Sequence, residues 1–174
     1  MILLFVASST GHGLKQANSY NDYSKAKQQF LEVKYTNDFD IMMNALYRYA
    51  VCAENIKRFD VAAWQYNDLA YYYIQEFKDR SDYVDKVTQI FDCKTNKQKK
   101  ILIIEVKSNF ILYMDLLNMA KNYLIKAEIL DSKYGHDKER DKDILSNWNF
   151  INYVNKFMNQ EELPHGIKST LSGW

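Results

Sequence analysis

Glycine and proline are scarce in this chain, with five Gly and one Pro in 174 residues. These residues punctuate turns and loops, so the deficit points to long helices joined by short connections. It also leaves too little glycine for the backbone cradles that hold phosphates. Two cysteines, Cys52 and Cys93, are too few for a disulfide framework. Both fall in helical stretches and are expected as free, buried or half-buried thiols. Charge of one sign is lacking as well: 23 Lys+Arg against 22 Asp+Glu leave a formal +1. A dedicated nucleic-acid binder would carry a clear basic excess, so no nucleic-acid partner is expected. No run approaches the roughly 18 apolar residues that cross a bilayer. What is present is 47% hydrophobic and 15% aromatic residues, which excludes intrinsic disorder. The length suits a single domain that buries about two-thirds of its surface.

The first residues, Met1–Val6, form an apolar run without the basic start or the length of a secretory signal. They are expected to dock on the core as a short helix or strand, with a signal or transit remnant as the alternative. Residues 1–20 thus read as an apolar segment and a polar link, Thr10-Gly11-His12-Gly13. The chain as a whole reads as cytoplasmic.

Helical periodicity then dominates. From about Asp22 to Lys34, Tyr23, Ala26, Phe30 and Val33 recur in steps of three and four and share one face. Asp38 is placed to cap a second helix that runs to about Lys57, with Met42, Leu46, Tyr49, Ala50 and Ala53 inside. Asp60 is the expected cap of a third, Val61 to about Phe77, presenting Ala62, Tyr66, Leu69, Ala70, Tyr73 and Phe77. A short helix, Tyr83–Phe91, precedes a solvated turn at Lys94–Lys97. From Lys99 to Tyr134 there is no breaker, and Ile101, Ile104, Ile111, Leu112, Met119, Tyr123, Ala127 and Leu130 keep helical spacing. Gly135 is a natural stop. Ile144, Trp148, Ile151, Val154 and Met158 form a last stripe, ended by Leu163-Pro164, and residues 164–174 read as an irregular tail. The fold class is all-α, with about six helices.

The helices repeat. Tyr23-x-x-Ala26-x-x-x-Phe30 recurs as Phe59-x-x-Ala62-x-x-x-Tyr66, 36 residues on, a period typical of stacked helix pairs. A small residue at the crossing lets two helices approach, and flanking aromatics fill the wedges. Residues 45–70, ALYRYAVCAENIKRFDVAAWQYNDLA, resemble a tetratricopeptide (TPR) repeat. Tyr49-Ala50 stand at the large–small pair of the first helix, Ala53 at the next packing position, and Phe59, Ala62, Tyr66 and Leu69 at second-helix spacing. Ala50 replaces the usual Gly, Ala53 an aromatic, and Ile74 the closing Pro. Residues 23–33 look like the second helix of a preceding repeat, and Leu117, Ala120, Leu124 and Ala127 again have second-helix spacing. The phrase KAEILDSKYGHDKER (126–140) is similar to the end of a kinesin-light-chain-type repeat, with Lys138 where that family has His. The resemblance implies antiparallel helix pairs stacked in a right-handed superhelix, best matched over 23–77. It further implies a concave groove lined by Asn44, Tyr47, Val51, Glu54 and Asn55, whose asparagines suit the backbone of an extended peptide. None of these positions is basic, which speaks against clamping a peptide's terminal carboxylate.

Catalytic patterns are scarce. HExxH, CxxC, a phosphate loop and Gly-x-Ser-x-Gly are all lacking, and His12, His136 and His165 are not paired at metal-binding spacing. No catalytic residue, metal or cofactor is expected. Asp137-x-Glu139-x-Asp141-x-Asp143 lacks the sixth-position Gly and closing Glu of a calcium loop and reads as a charged cap of the next helix. Lys97-Gln98-Lys99-Lys100 reads as a solvated basic patch. Three successive residues on a helix point in three directions, so at least one of Tyr71, Tyr72 and Tyr73 is expected to be exposed. The reading is a non-catalytic module that binds a protein or peptide partner. A chaperone or immunity protein masking one partner, a relative of the Rap-type intracellular peptide receptors, a self-assembling (homo-oligomeric) module and, last, an enzyme remain its rivals.

Overall fold

The computed structural model describes residues 6–160, with side chains over 19–160. These residues form seven helices: α1 (Val6–Val33), α2 (Phe39–Asn55), α3 (Phe59–Arg80), α4 (Tyr83–Asp92), α5 (Asn96–Ile111), α6 (Met114–Tyr134) and α7 (Lys138–Asn159). Among them there is no strand, and no helix is long and apolar enough to cross a membrane. Residues 1–5 and the tail beyond Gln160, including Leu163-Pro164 and His165, lie outside the described residues, as does the side chain of His12.

Local chemistry sets most of the boundaries. The Asp38 carboxylate accepts the Ile41 N–H at 3.0 Å and starts α2. Thr95 does the same for α5, accepting the Gln98 N–H at 3.3 Å. Asp137 accepts the N–H groups of both Glu139 and Arg140 at 3.0 Å, so the charged run does cap α7. Gly135, with φ 139°, ends α6 in a conformation that side chains rarely adopt. Helix α2 closes on Lys57 at φ 62°, while Arg58 N–H reaches back to the Ala53 carbonyl at 2.9 Å.

Three boundaries differ from the sequence expectation. Helix α1 starts at Val6 and continues through Gly11 and Gly13, where a polar link was expected; a glycine inside a helix costs only about 1 kcal/mol. Helix α3 starts at Phe59, so Asp60 sits in its first turn and pairs with Arg58 at 3.2 Å instead of capping it. The uninterrupted stretch to Tyr134 is two helices, which makes seven. The last turn of α5 tightens, with Leu112 N–H to Asn109 O at 3.2 Å and Tyr113 N–H to Phe110 O at 3.0 Å, and the chain turns at Leu112-Tyr113. A single helix from Asn96 to Tyr134 would be about 58 Å long. Breaking it lets both halves reach the core.

That core is built around α3. It packs against α2 and, most extensively, against α6, with further contacts to α4 and α7, while α1 covers α2 and α7 covers α6. The expected faces of α2 and α3 are buried except for half-buried Tyr73, and Leu117, Ala120, Leu124 and Ala127 of α6 are buried too. In α5 the expected stripe is on the wrong side: Ile103, Val106 and Phe110 face inward, and Ile101, Ile104, Ile111 and Leu112 face out. Cys52 and Cys93 are free and half-buried.

Ring and side-chain contacts give the helix directions. Phe39 meets Tyr73 at 5.4 Å and Glu54 meets Tyr66 at 2.9 Å, so α2 runs antiparallel to α3. Tyr123 stacks on Tyr73 at 5.8 Å and Tyr134 on Phe59 at 3.8 Å, so α6 is also antiparallel to α3. Helices α2 and α6 are therefore parallel to each other.

Two clusters tie the ends. At one, Phe110 meets Phe77 at 5.3 Å and Phe157 at 5.7 Å, and Tyr83 meets Phe150 at 5.1 Å, which joins α3, α4, α5 and α7. At the other, buried Arg140 pairs with buried Asp131, donates to the Asp60 carbonyl at 3.1 Å and the Gly135 carbonyl at 2.7 Å, and lies over Trp64. One guanidinium thus holds the start of α7, the end of α6 and the start of α3. Arg140→Ala leaves buried Asp131 without its arginine and should cost about 3–5 kcal/mol of unfolding free energy. Arg58→Ala, which removes a pair whose side chains are 51% and 60% exposed, should cost under about 1 kcal/mol. Urea unfolding of the two variants measures both.

Candidate functional site

The parallel pair α2 and α6 frames a face whose floor is α3. A row of rings runs along it. Phe39 lies edge-on to Tyr73 at 5.4 Å, Tyr73 stacks on Tyr123 at 5.8 Å, Tyr123 stacks on Tyr66 at 6.2 Å, and Tyr47 tilts onto Tyr123 at 6.2 Å. Rings from α2, α3 and α6 interleave because α3 supplies one aromatic about every two turns, Tyr66 and Tyr73, between the two flanking helices. Tyr66 is fully buried, Tyr73 and Tyr123 are half-buried, and Tyr47 is exposed.

A polar trio closes the row. The Tyr66 hydroxyl donates to Glu54 Oε2 at 2.9 Å, Lys126 Nζ donates to the same hydroxyl at 3.2 Å, and Lys126 and Glu54 are 4.0 Å apart. Burial, and then the hydrogen bond to Glu54, raise the Tyr66 phenol above its ordinary pKa, so it stays neutral and orients its two partners. Burial likewise raises Tyr73 and Tyr123. The trio sets one acidic and one basic side chain beside aromatic surface.

Of the five residues expected to face the groove, Tyr47 and Glu54 join this face through Tyr123, Tyr66 and Lys126. Val51 is half-buried between them in sequence, and Asn44 and Asn55 are exposed at either end of the strip. Tyr123 and Lys126 went unrecognised as site residues. Tyr123 was legible only as one more apolar position on its helix, and Lys126 carried no signal, because its role depends on a partner 60 residues away.

No protein family, curated protein or solved structure matches this chain.

Other clusters have local explanations. Tyr71, Tyr72 and Tyr73 are all half-buried, so none is fully buried and none stands out as the exposed residue that was expected; Tyr71 and Tyr72 meet edge-on at 5.6 Å, and Tyr73 lies between Phe39 and Tyr123. Asp131, His136 and Asp141 bring donor atoms within 4.8 Å of one another, with His136 Nδ1 at 3.2 Å from Asp131 and 3.7 Å from Asp141. Their spacing in sequence did not announce this. Asp131 is already neutralised by Arg140, so the trio belongs to the α6–α7 clamp. Burial opposes ionisation of Asp131, but hydrogen bonds from Asp141 and Arg140 outweigh it and hold the carboxyl below its usual range. An open cleft of about 740 Å³ lies between the α1–α2 turn and the end of α3, lined by Thr36–Asp40, Glu76 and Arg80.

Asp68 is the outlying titratable group. Burial, and then the charge of Asp143, push its carboxyl up to about 6. A raised acid is protonated in the fold where the unfolded chain, with a carboxyl near pKa 4, has already released its proton. The Asp68 contribution to stability is therefore full below about pH 4 and is lost as pH rises through about 6. Asp68→Asn should raise the thermal midpoint at pH 7 and leave it nearly unchanged at pH 4, a difference that parallel melting curves at the two pH values detect.

Proposed function

We propose that this chain is a TPR-like, non-catalytic module that binds a protein or peptide partner along the α2–α6 face. In this reading α2 and α6 are the first helices of two successive pairs, and α3 and α7 are the second, so α6 takes a first-helix place although its Leu117, Ala120, Leu124 and Ala127 carry second-helix spacing. Helix α1 is the second helix of a preceding pair, and α4–α5 is a hairpin inserted between repeats. The observation that carries the reading is the parallel placement of α2 and α6 on one side of α3, deduced from the Tyr47–Tyr123 and Glu54–Lys126 contacts. Such a superhelix lines its concave surface with the first helix of each pair, and Asn44, Tyr47, Val51, Glu54 and Asn55 are spaced along that strip of α2.

The chemistry suits an extended peptide. Exposed Asn44 and Asn55 can each donate to and accept from a peptide backbone. Tyr47 and Tyr123 give aromatic area at low entropy cost, and Glu54 with Lys126 offers one charge of each sign. Because Tyr66 and the ring row hold these groups in place, the receptor loses little entropy on binding. Free, half-buried Cys52 and Cys93 fit the reducing conditions of a cytoplasm.

Selection from a random peptide library on the immobilised protein tests the proposal. Enriched peptides should bind the wild type and lose about tenfold or more in affinity for Asn44→Ala/Asn55→Ala and for Tyr47→Ala, with circular dichroism unchanged. Peptides whose affinity ignores all three substitutions would move the site off this face.

A further inference from the structure

Helix α5 has two apolar sides, and only one has a partner in the fold. Ile103, Val106 and Phe110 are buried, whereas Ile101, Ile104, Ile111 and Leu112 are 50%, 66%, 62% and 71% exposed. With Ser108 among them they form one continuous strip along the helix, spanning about 16 Å. Scattered exposed aliphatics are ordinary on protein surfaces, but four aligned on a single helix face make a patch. The strip is also strongly charged at its start. Lys94, Lys97, Lys99 and Lys100 lead into it, and none of the four pairs with a carboxylate among the described residues. Residues 94–112 hold five Lys and one Glu, a net +4, while the whole chain is +1, so the remainder is −3.

We propose that the outer face of α5 docks on an anionic membrane surface. The helix lies in the plane of the interface, its aliphatic strip enters the boundary between headgroups and acyl chains, and Lys97 and Lys100 meet the lipid charges. The charge pattern selects this occupant. Two copies meeting through the strip would bring together faces whose exposed charges are mainly Lys97 and Lys100, with Glu105 the one acid beside them, whereas an anionic surface complements both lysines. Docking needs no rearrangement, since Phe110 and Val106 already anchor the inner side of the helix. One short patch gives reversible, salt-sensitive attachment.

Co-sedimentation of the full chain with phosphatidylcholine vesicles, with and without phosphatidylserine, tests the proposal. The wild type should partition onto the phosphatidylserine vesicles, fall off them as salt rises, and ignore pure phosphatidylcholine. Each lysine near the surface is worth about fivefold, so Lys97→Gln/Lys100→Gln should weaken partitioning by more than about tenfold. Ile104→Ser/Leu112→Ser should weaken it comparably, and Leu145→Ser, an exposed aliphatic on α7, should not, with helix content unchanged in all three. Failure of the wild type to bind phosphatidylserine vesicles at low salt overturns the proposal, as does an equal loss in Leu145→Ser. A dimeric mass that becomes monomeric in Ile104→Ser/Leu112→Ser would assign the strip to a second copy instead.

Discussion

Small residues on α3 and α6 allow these helices to come close, and the rest of the architecture depends on that approach. Ala62, Ala63 and Ala70 on α3 and Ala120 and Ala127 on α6 are all fully buried. Larger side chains there would push the helices apart, and overpacked cores relax only at a cost of about 1–3 kcal/mol each. With α6 held close, Tyr123 reaches between Tyr66 and Tyr73, and α2, on the same side of α3, brings Tyr47 to Tyr123 and Glu54 to Lys126. The candidate face is thus a consequence of helix spacing as much as of the residues that line it.

Polar groups inside the core then restrict how the helices slide. The Asn147 amide donates to the Asn67 carbonyl oxygen at 2.9 Å, both side chains being buried, which joins α7 to α3 in one register. Lys78 lies 4.6 Å from the Phe150 ring centroid, and burial lowers its ammonium to about 8. Arg140 holds three helix ends at once. Such groups are costly unless partnered, so they disfavour alternative packings of an otherwise aliphatic and aromatic interior. The aromatic cluster at the opposite end is looser in chemistry but joins four helices, and it fixes α4–α5 as a hairpin leaning on α3 and α7.

How much was legible in the sequence follows from which interactions are local. Asp38, Gly135 and Asp137 act on backbone groups a few residues away, and their roles could be read directly. The faces of α2 and α3 were equally plain, because each has one apolar side. Helix α5 was not, since Ile101 and Ile104 alternate with Ile103 and Val106 and either set makes a stripe; only the tertiary neighbours choose between them. The turn at Leu112-Tyr113 carries no glycine or proline and is imposed by the need to fold the chain back on α3. Tyr47 and Glu54 were expected on the candidate face through the resemblance of α2 to a TPR first helix, whereas Tyr123 and Lys126 join it through contacts to residues 76 and 60 positions away.

The central claim is that α2 and α6 lie parallel over α3 and present one continuous surface. Nuclear Overhauser contacts between the ring protons of Tyr47 and Tyr123 test it most directly, because these rings belong to helices linked by no local sequence and meet at 6.2 Å. The account predicts cross-peaks between Tyr47 and Tyr123, accompanied by cross-peaks of Tyr123 to both Tyr66 and Tyr73. Cross-peaks of Tyr123 to Tyr66 and Tyr73 without any to Tyr47 would leave α6 on α3 but remove α2 from its side, and would contradict the shared face.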